Sequence, residues 1–276
     1  MTQEQDQGLA DDYYGTDLAI KKDWYGDVVQ AYDQVRPRYS DHLIQLAITK
    51  GNLTPQSQIL EIGCGVGIAT GSFAARGYQI LALEPNPEAC KLARHNCRDF
   101  NQVTICQTTL EEWTVTNHKF TTVVAATSVH WVNPQIGYPK LAQALQPDGK
   151  LILLWNAGLQ PSPEINKLLL PAYQTYAPSI EPFQSREQER NNLATVEQKL
   201  IDSKYFHPTF SEETIVKVTY SVADYLLLLS TYSPYIALTP HDREYLLNAI
   251  ASTLQQHSID RLDLNYLSML QILEKT

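Results

Sequence analysis

Residues 59–70 read ILEIGCGVGIAT, an apolar run followed by three glycines within five positions, Gly63, Gly65 and Gly67. Such a run predicts a buried strand turning sharply into a helix. Glycine is required there where the backbone takes positive φ or passes beside a ligand with no Cβ between. Downstream, Gln79 to Leu83 reads as a second strand ending at Glu84, 21 positions after Gly63. That offset suits a carboxylate accepting hydrogen bonds from ribose hydroxyls. The pair of features points to a nucleoside-containing cofactor. The dinucleotide fingerprint GxGxxG asks for Gly or Ala at position 68, where this chain has Ile68, which disfavours an NAD-dependent oxidoreductase without removing it. No GK[ST] triplet is present, so a P-loop is excluded.

Working outward, strands and helices alternate in steps typical of βαβ units. Strands are expected at Ile59 to Ile62, Gln79 to Leu83, Val103 to Cys106, Phe120 to Ala126 and Lys150 to Trp155. Helices are expected at Ala69 to Arg76, Pro87 to Cys97 and Ile136 to Leu145. This predicts a doubly wound, Rossmann-like, mostly parallel seven-stranded sheet, with N-terminal helices and a helical insertion after strand 5. The N-terminal helices lie on either side of Arg36-Pro37-Arg38-Tyr39, the second capped by Ser40 and ended by Gly51. Residues 157–258 form the expected insertion, helical except for one alternating strand at Thr214 to Tyr220. The core is then 24–156 plus 259–276, and 1–23 a flexible arm.

The formal charge of −9 would repel a phosphate backbone, so nucleic acid is not an expected partner. The four cysteines form no CxxC pair and the histidines no HxxxH pair, so no metal site is expected. The acidic start MTQEQDQGLADD is unlike a signal peptide, and no apolar run is long enough to span a bilayer. A cytoplasmic protein, monomer or homodimer, is the expectation.

The tract ILEIGCGVGIAT, then LALEP, then VVAATSVHWVNPQIGYPKLAQALQPDGKLILLWN resembles class I S-adenosylmethionine-dependent methyltransferases over residues 28–156. His130-Trp131 and the upstream YDQVRPRYS most resemble small-molecule members related to trans-aconitate methyltransferase. The resemblance implies S-adenosyl-L-methionine as cofactor and methyl transfer to a small-molecule acceptor whose O, S, N or C nucleophile stays open. A cofactor-binding protein without turnover is the non-enzymatic alternative. It implies that Gly63, Gly65 and Gly67 border the methionine portion, Glu61 orients its ammonium, and Glu84 with Pro85 holds the ribose. Thr109 falls where the family commonly has an acid against the adenine, with Glu111 as its substitute, Leu110 supplies a backbone donor, and Ala126 and Thr127 line the sulfonium end.

For the acceptor, His130 is a candidate base or a histidine hydrogen-bonded into its loop. Trp131 is a pocket wall or a core anchor. Arg36 pairs with the cofactor carboxylate, with an anionic acceptor, or is a surface cation; Tyr32 and Tyr39 would rim that pocket. Tyr14 belongs to a lid or to a disordered arm.

Overall fold

The computed structural model describes residues 26–276. The expected arm, residues 1–23, and with it Tyr14 lie outside the described residues.

Helix α1 (Val29–Val35) follows a 3-10 turn and leads into α2 (Asp41–Lys50). Ser40 caps α2 by accepting from the Leu43 N–H at 3.2 Å, and Asp41 and Lys50 stand at the ends that complement the helix dipole. The Rossmann-like part follows: β1 (Gln58–Ile62), α3 (Ile68–Ala74), β2 (Gln79–Glu84), α4 (Pro87–Asn96), β3 (Val103–Gln107), β4 (Phe120–Ala126), α5 (Pro134–Ala144) and β5 (Leu145–Asn156). After β5 come the two-residue β6 (Gln160–Pro161), α6 (Pro163–Tyr176), α7 (Arg186–Asp202), β7 (Phe206–Ser221), α8 (Val222–Ser230), α9 (Ser233–Ile236), α10 (Pro240–Gln256) and β8 (Arg261–Lys275).

The main sheet order is β3-β2-β1-β4-β5-β8. Neighbours among β1 to β5 pair in parallel, whereas β8 is antiparallel to β5. The expected seven strands are thus joined by an eighth, the short β6. The strand expected at Thr214 to Tyr220 extends over Phe206–Ser221, because β7 pairs antiparallel with β8 from Phe206–Lys275 to Ser221–Arg261. Its charged first half, including Glu212 and Glu213, carries no apolar alternation. Ladder hydrogen bonds with the buried β8 hold it as a strand regardless. Pro208 falls beside a register shift of this strand, a position where a missing donor is tolerated.

Alternate residues of the central strands feed two layers. Leu60, Ile62, Leu151, Leu153 and Trp155 pack with α5 and Leu200 of α7. Ile59, Ile152 and Leu154 pack with Leu43, Ile44 and Ala47 of α2 and with Phe73 of α3. A separate core joins α6, α8 and α10 to Leu262, Leu264 and Tyr266 at the start of β8. Within residues 157–258, α6, α8 and α10 share this second core, whereas α7 packs on the sheet through Leu200. Strand order reverses between β1 and β4, which opens a crevice at their carboxyl ends.

Candidate active site

A single cleft of ≈ 1290 Å³ occupies that crevice and continues beneath the insertion. Roughly 300–1,000 Å³ accommodates one drug-sized ligand, so the volume leaves room for two small reactants.

Its floor is the turn after β1. Gly63, Gly65 and Gly67 all take positive φ, at +61°, +55° and +87°. Their surroundings differ. A methyl group on Gly63 would meet the Ser128 Cβ at 2.7 Å, and Ser128 donates from Oγ to the Ile62 carbonyl at 2.6 Å. This locks the β1 turn to the loop after β4. A methyl on Gly65 would meet nothing within 4 Å; it would point into open cleft. A methyl on Gly67 would meet the Cys97 Sγ at 3.3 Å. Gly67 is not among the residues that line the cleft. Its missing side chain serves the close approach of α4 instead.

Two carboxylates flank the turn. Glu61, 1% exposed, accepts from the Thr70 hydroxyl at 2.7 Å through Oε2, while its buried Oε1 has no hydrogen-bond partner among the described residues. Burial pushes its pKa up to about 8, against the lowering effect of the Thr70 hydrogen bonds. Glu84 is 8% exposed; Oε2 accepts from the Gly65 N–H and Oε1 from the Asn86 N–H, each at 2.9 Å. Burial also raises the Glu84 pKa, and those two backbone donors oppose the shift. Each carboxylate oxygen keeps a further lone pair, so Glu84 ties the two turns together and still has acceptor capacity at the cleft. Pro85 lines the cleft beside it.

Beyond β3, Thr109 and Leu110 line the next wall. The Thr109 hydroxyl accepts from the Glu112 N–H at 3.0 Å. Glu111 turns its carboxylate to the Asn133 N–H at 2.8 Å, so its charge is already engaged by a neighbouring loop. Sequence reasoning missed Lys140 of α5, whose ammonium donates to the carbonyls of Leu110 at 3.2 Å, Trp113 at 2.9 Å and Glu111. Three carbonyls converging on one ammonium fix the path of this loop. No local motif announces a lysine some thirty residues away.

At the end of β4, Ala126 and Thr127 line the cleft centre. Thr127 has φ +54°, rare for a β-branched residue. Its N–H donates to the Leu154 carbonyl at 2.7 Å, and its hydroxyl is 2.9 Å from the Tyr39 hydroxyl. Strain of about 1–3 kcal/mol persists where such surroundings hold it, typically at a working site. His130 and Trp131 follow in a short 3-10 turn, both in the cleft wall. The imidazole lies against Trp131, centroids 5.2 Å apart, and Trp155, 5.7 Å apart. Trp155, at the end of β5, was not among the expected residues; it reads in sequence as one more core strand position.

Tyr32, Arg36 and Tyr39 also line the cleft. Arg36 is no surface cation. Its guanidinium carbon sits 4.8 Å from the Tyr32 ring centre and 4.1 Å from that of Tyr232, with Nε donating to the Thr231 hydroxyl at 2.9 Å. Among the described residues no group of three metal-ligating side chains converges, and no helix is long and apolar enough to cross a membrane.

Residues 60–153, which span this floor and both walls up to β5, match the model of a methyltransferase domain. An uncharacterized methyltransferase of Mycobacterium tuberculosis is 30% identical over 132 residues, 48% of this chain and 51% of that protein. The chain thus spans about half the length of the curated relatives it first matches. A candidate type II methyltransferase from Anaeromyxobacter dehalogenans shares the fold with a TM-score of 0.62 and 18% identity, covering 86% of this chain and 97% of that one. Phosphoethanolamine N-methyltransferase 2 of Haemonchus contortus, solved with phosphomonomethylethanolamine and S-adenosylhomocysteine, has a TM-score of 0.51 at 14% identity, covering 95% of this chain and 60% of that one. The matched domain ends within β5, so the insertion lies beyond it.

Proposed function

We propose that the protein transfers a methyl group from S-adenosylmethionine to a small-molecule acceptor held between the methyltransferase domain and the insertion. One observation carries the reading: a buried, unpartnered Glu61 oxygen lies in the wall of a cleft whose floor, at Gly65, is bare backbone. An orphaned carboxyl oxygen there suits a ligand bearing an ammonium group, since a buried polar atom left without a hydrogen bond is costly. S-adenosylmethionine fits on that ground. Glu61 would hold its ammonium, Glu84 its ribose hydroxyls, and the Lys140-fixed loop at Leu110 its adenine.

When bound, the cofactor supplies a sulfonium methyl already activated toward nucleophiles. The chain's own work is then to orient and to exclude water. Gly63 and Gly65 give the backbone close approach, and Ala126 and Thr127 bound the sulfonium end. Trp131 and Trp155 hold His130 between them at the mouth of the acceptor half, where it can take a proton from an acceptor hydroxyl or amine. The His130-Trp131 pair and the Arg36-Pro37 tract support a place among small-molecule enzymes of the trans-aconitate methyltransferase-like group. The net charge of −9 supports a small acceptor over a nucleic acid, and a cytoplasmic monomer or homodimer completes the reading.

Isothermal titration with S-adenosylhomocysteine and with NAD tests it. Heat with the first and none with the second is expected; the reverse would overturn the reading. Incubation with labelled S-adenosylmethionine and a metabolite extract then separates turnover from binding alone. Labelled acceptor is expected, and its absence would leave a cofactor-binding protein.

A further inference from the structure

Arg36 lines the cleft and, among the described residues, forms no ion pair with a carboxylate. It reaches the cleft from the end of α1, clamped between the Tyr32 and Tyr232 rings. Nε and Nη2 donate to the Thr231 hydroxyl and carbonyl, at 2.9 and 2.8 Å. Thr231 is wholly buried and the Tyr232 hydroxyl accepts from the Leu159 N–H at 2.9 Å, so both supports are themselves fixed. A guanidinium has five N–H donors, and these contacts use two.

The buried carboxylates that line the cleft have other partners, and Glu181, which also lines it, is exposed. Glu189, 5% exposed in the same cleft, is paired with Arg186 and accepts from Gln160 Nε2 at 2.7 Å. Glu61 and Glu84 flank the glycine turn and are hydrogen-bonded there. Tyr225, Leu229 and Tyr235 are among the aromatic and apolar residues that line the same cleft. An aromatic pair of this kind could cage a substrate ammonium, but here the resident guanidinium already fills it. A rigid planar fork with unused donors, half-buried and unneutralised, matches the bidentate geometry of a carboxylate or phosphate.

We infer that Arg36 is the anion-recognition residue of the acceptor subsite, and that the acceptor is an apolar or aromatic molecule carrying a carboxylate or phosphate. The inference rests on the proposed methyl-transfer reading and assigns the anion as a handle, leaving the nucleophile open. The rival destination for Arg36 is the carboxylate of the cofactor itself.

The test uses the full chain saturated with S-adenosylhomocysteine. Phenylacetate, octanoate and phenyl phosphate are titrated against phenylacetamide and octanamide, neutral molecules of matching shape. At least one anion is expected to bind tenfold or more tightly than its neutral counterparts. In Arg36→Gln that preference should vanish, Arg36→Lys should restore only part of it, and S-adenosylhomocysteine affinity should change less than twofold. Equal binding of anions and amides by the unsubstituted protein, or no binding of any probe below millimolar concentration, overturns the inference without needing a variant to fold. A tenfold loss of S-adenosylhomocysteine affinity in Arg36→Gln, with 5′-methylthioadenosine binding unchanged, overturns it in favour of the cofactor carboxylate. If the unsubstituted protein fails to bind S-adenosylhomocysteine at all, the methyl-transfer reading itself falls.

Discussion

Glu61 should make cofactor binding expel a proton. Its pKa of about 8, raised mainly by burial, leaves it roughly nine-tenths protonated at pH 7 in the free protein by mass action. A ligand ammonium docked on Oε1 favours the carboxylate, so binding at pH 7 releases about 0.9 proton to the buffer. Titration of S-adenosylhomocysteine in buffers of differing ionisation enthalpy reads this as a slope of that size. Affinity should also climb about fifty-fold from pH 6 to pH 8, following the ionised fraction, and level off above. In Glu61→Gln both the slope and the pH dependence should disappear. The same group sets a stability window. The unfolded carboxyl loses its proton near its ordinary 4.5 and the folded one near 8, so the folded state holds the extra proton between them. Stability contributed by protonated Glu61 is therefore complete below about 4.5 and lost as pH rises to about 8, on the order of 5 kcal/mol in all. Melting temperatures at pH 9 should favour Glu61→Gln, and the advantage should fade toward pH 5. A buffer-independent binding enthalpy in the unsubstituted protein, or an equal slope in Glu61→Gln, would refute the assignment of the ammonium to Glu61.

The glycine turn separates fold from binding. Gly65→Ala and Gly67→Ala each force a side chain into left-handed backbone at about 1–2 kcal/mol. Only Gly65→Ala projects its methyl into the cleft, so calorimetry should find its cofactor affinity reduced well beyond that of Gly67→Ala at similar melting temperatures; equal affinities would sink the distinction. Lys140→Met removes three charge-assisted hydrogen bonds from the loop carrying Leu110, and S-adenosylhomocysteine and adenosine affinities should both fall tenfold or more. An effect on S-adenosylhomocysteine alone would locate Lys140's influence elsewhere. His130→Ala should keep cofactor affinity within about twofold while lowering turnover by about 10²–10⁴ if the imidazole is the base. Full turnover in the metabolite-extract assay would end that role.

The two halves of the site were unequally legible in the sequence, for a physical reason. The donor half is assembled within residues 59 to 131, each strand delivering its last residues to one edge. There, strand period and glycine spacing map directly onto the cleft. Glu61, Gly63, Gly65, Glu84, Pro85, Thr109, Leu110, Ala126, Thr127, His130 and Trp131 all reach its wall. A GxGxG run does not itself show that the Cβ position of Gly67 faces Cys97 and Ala93 of the α4 segment; that depends on how α4 packs. The strand β7 was half hidden because its pairing with β8, and no property of Glu212 or Glu213, makes that stretch extended.

The acceptor half obeys no local period. Arg36 precedes the sheet, Trp155 closes β5, Glu189 lies on α7 and Tyr232 follows α8, so residues nearly two hundred positions apart meet in one wall. Isolated side chains brought together from distant elements leave no spacing to read. The Arg36 partners, Thr231 and Tyr232, sit in TYSPY, where sequence shows only a helix end. The proposed donor end is therefore encoded in a contiguous motif, and the proposed acceptor end in the packing of distant elements against one another. Chemistry at Arg36 is the point where that packing becomes specific: its charge is set by one residue, but its usefulness depends on two rings and a buried threonine supplied from far along the chain.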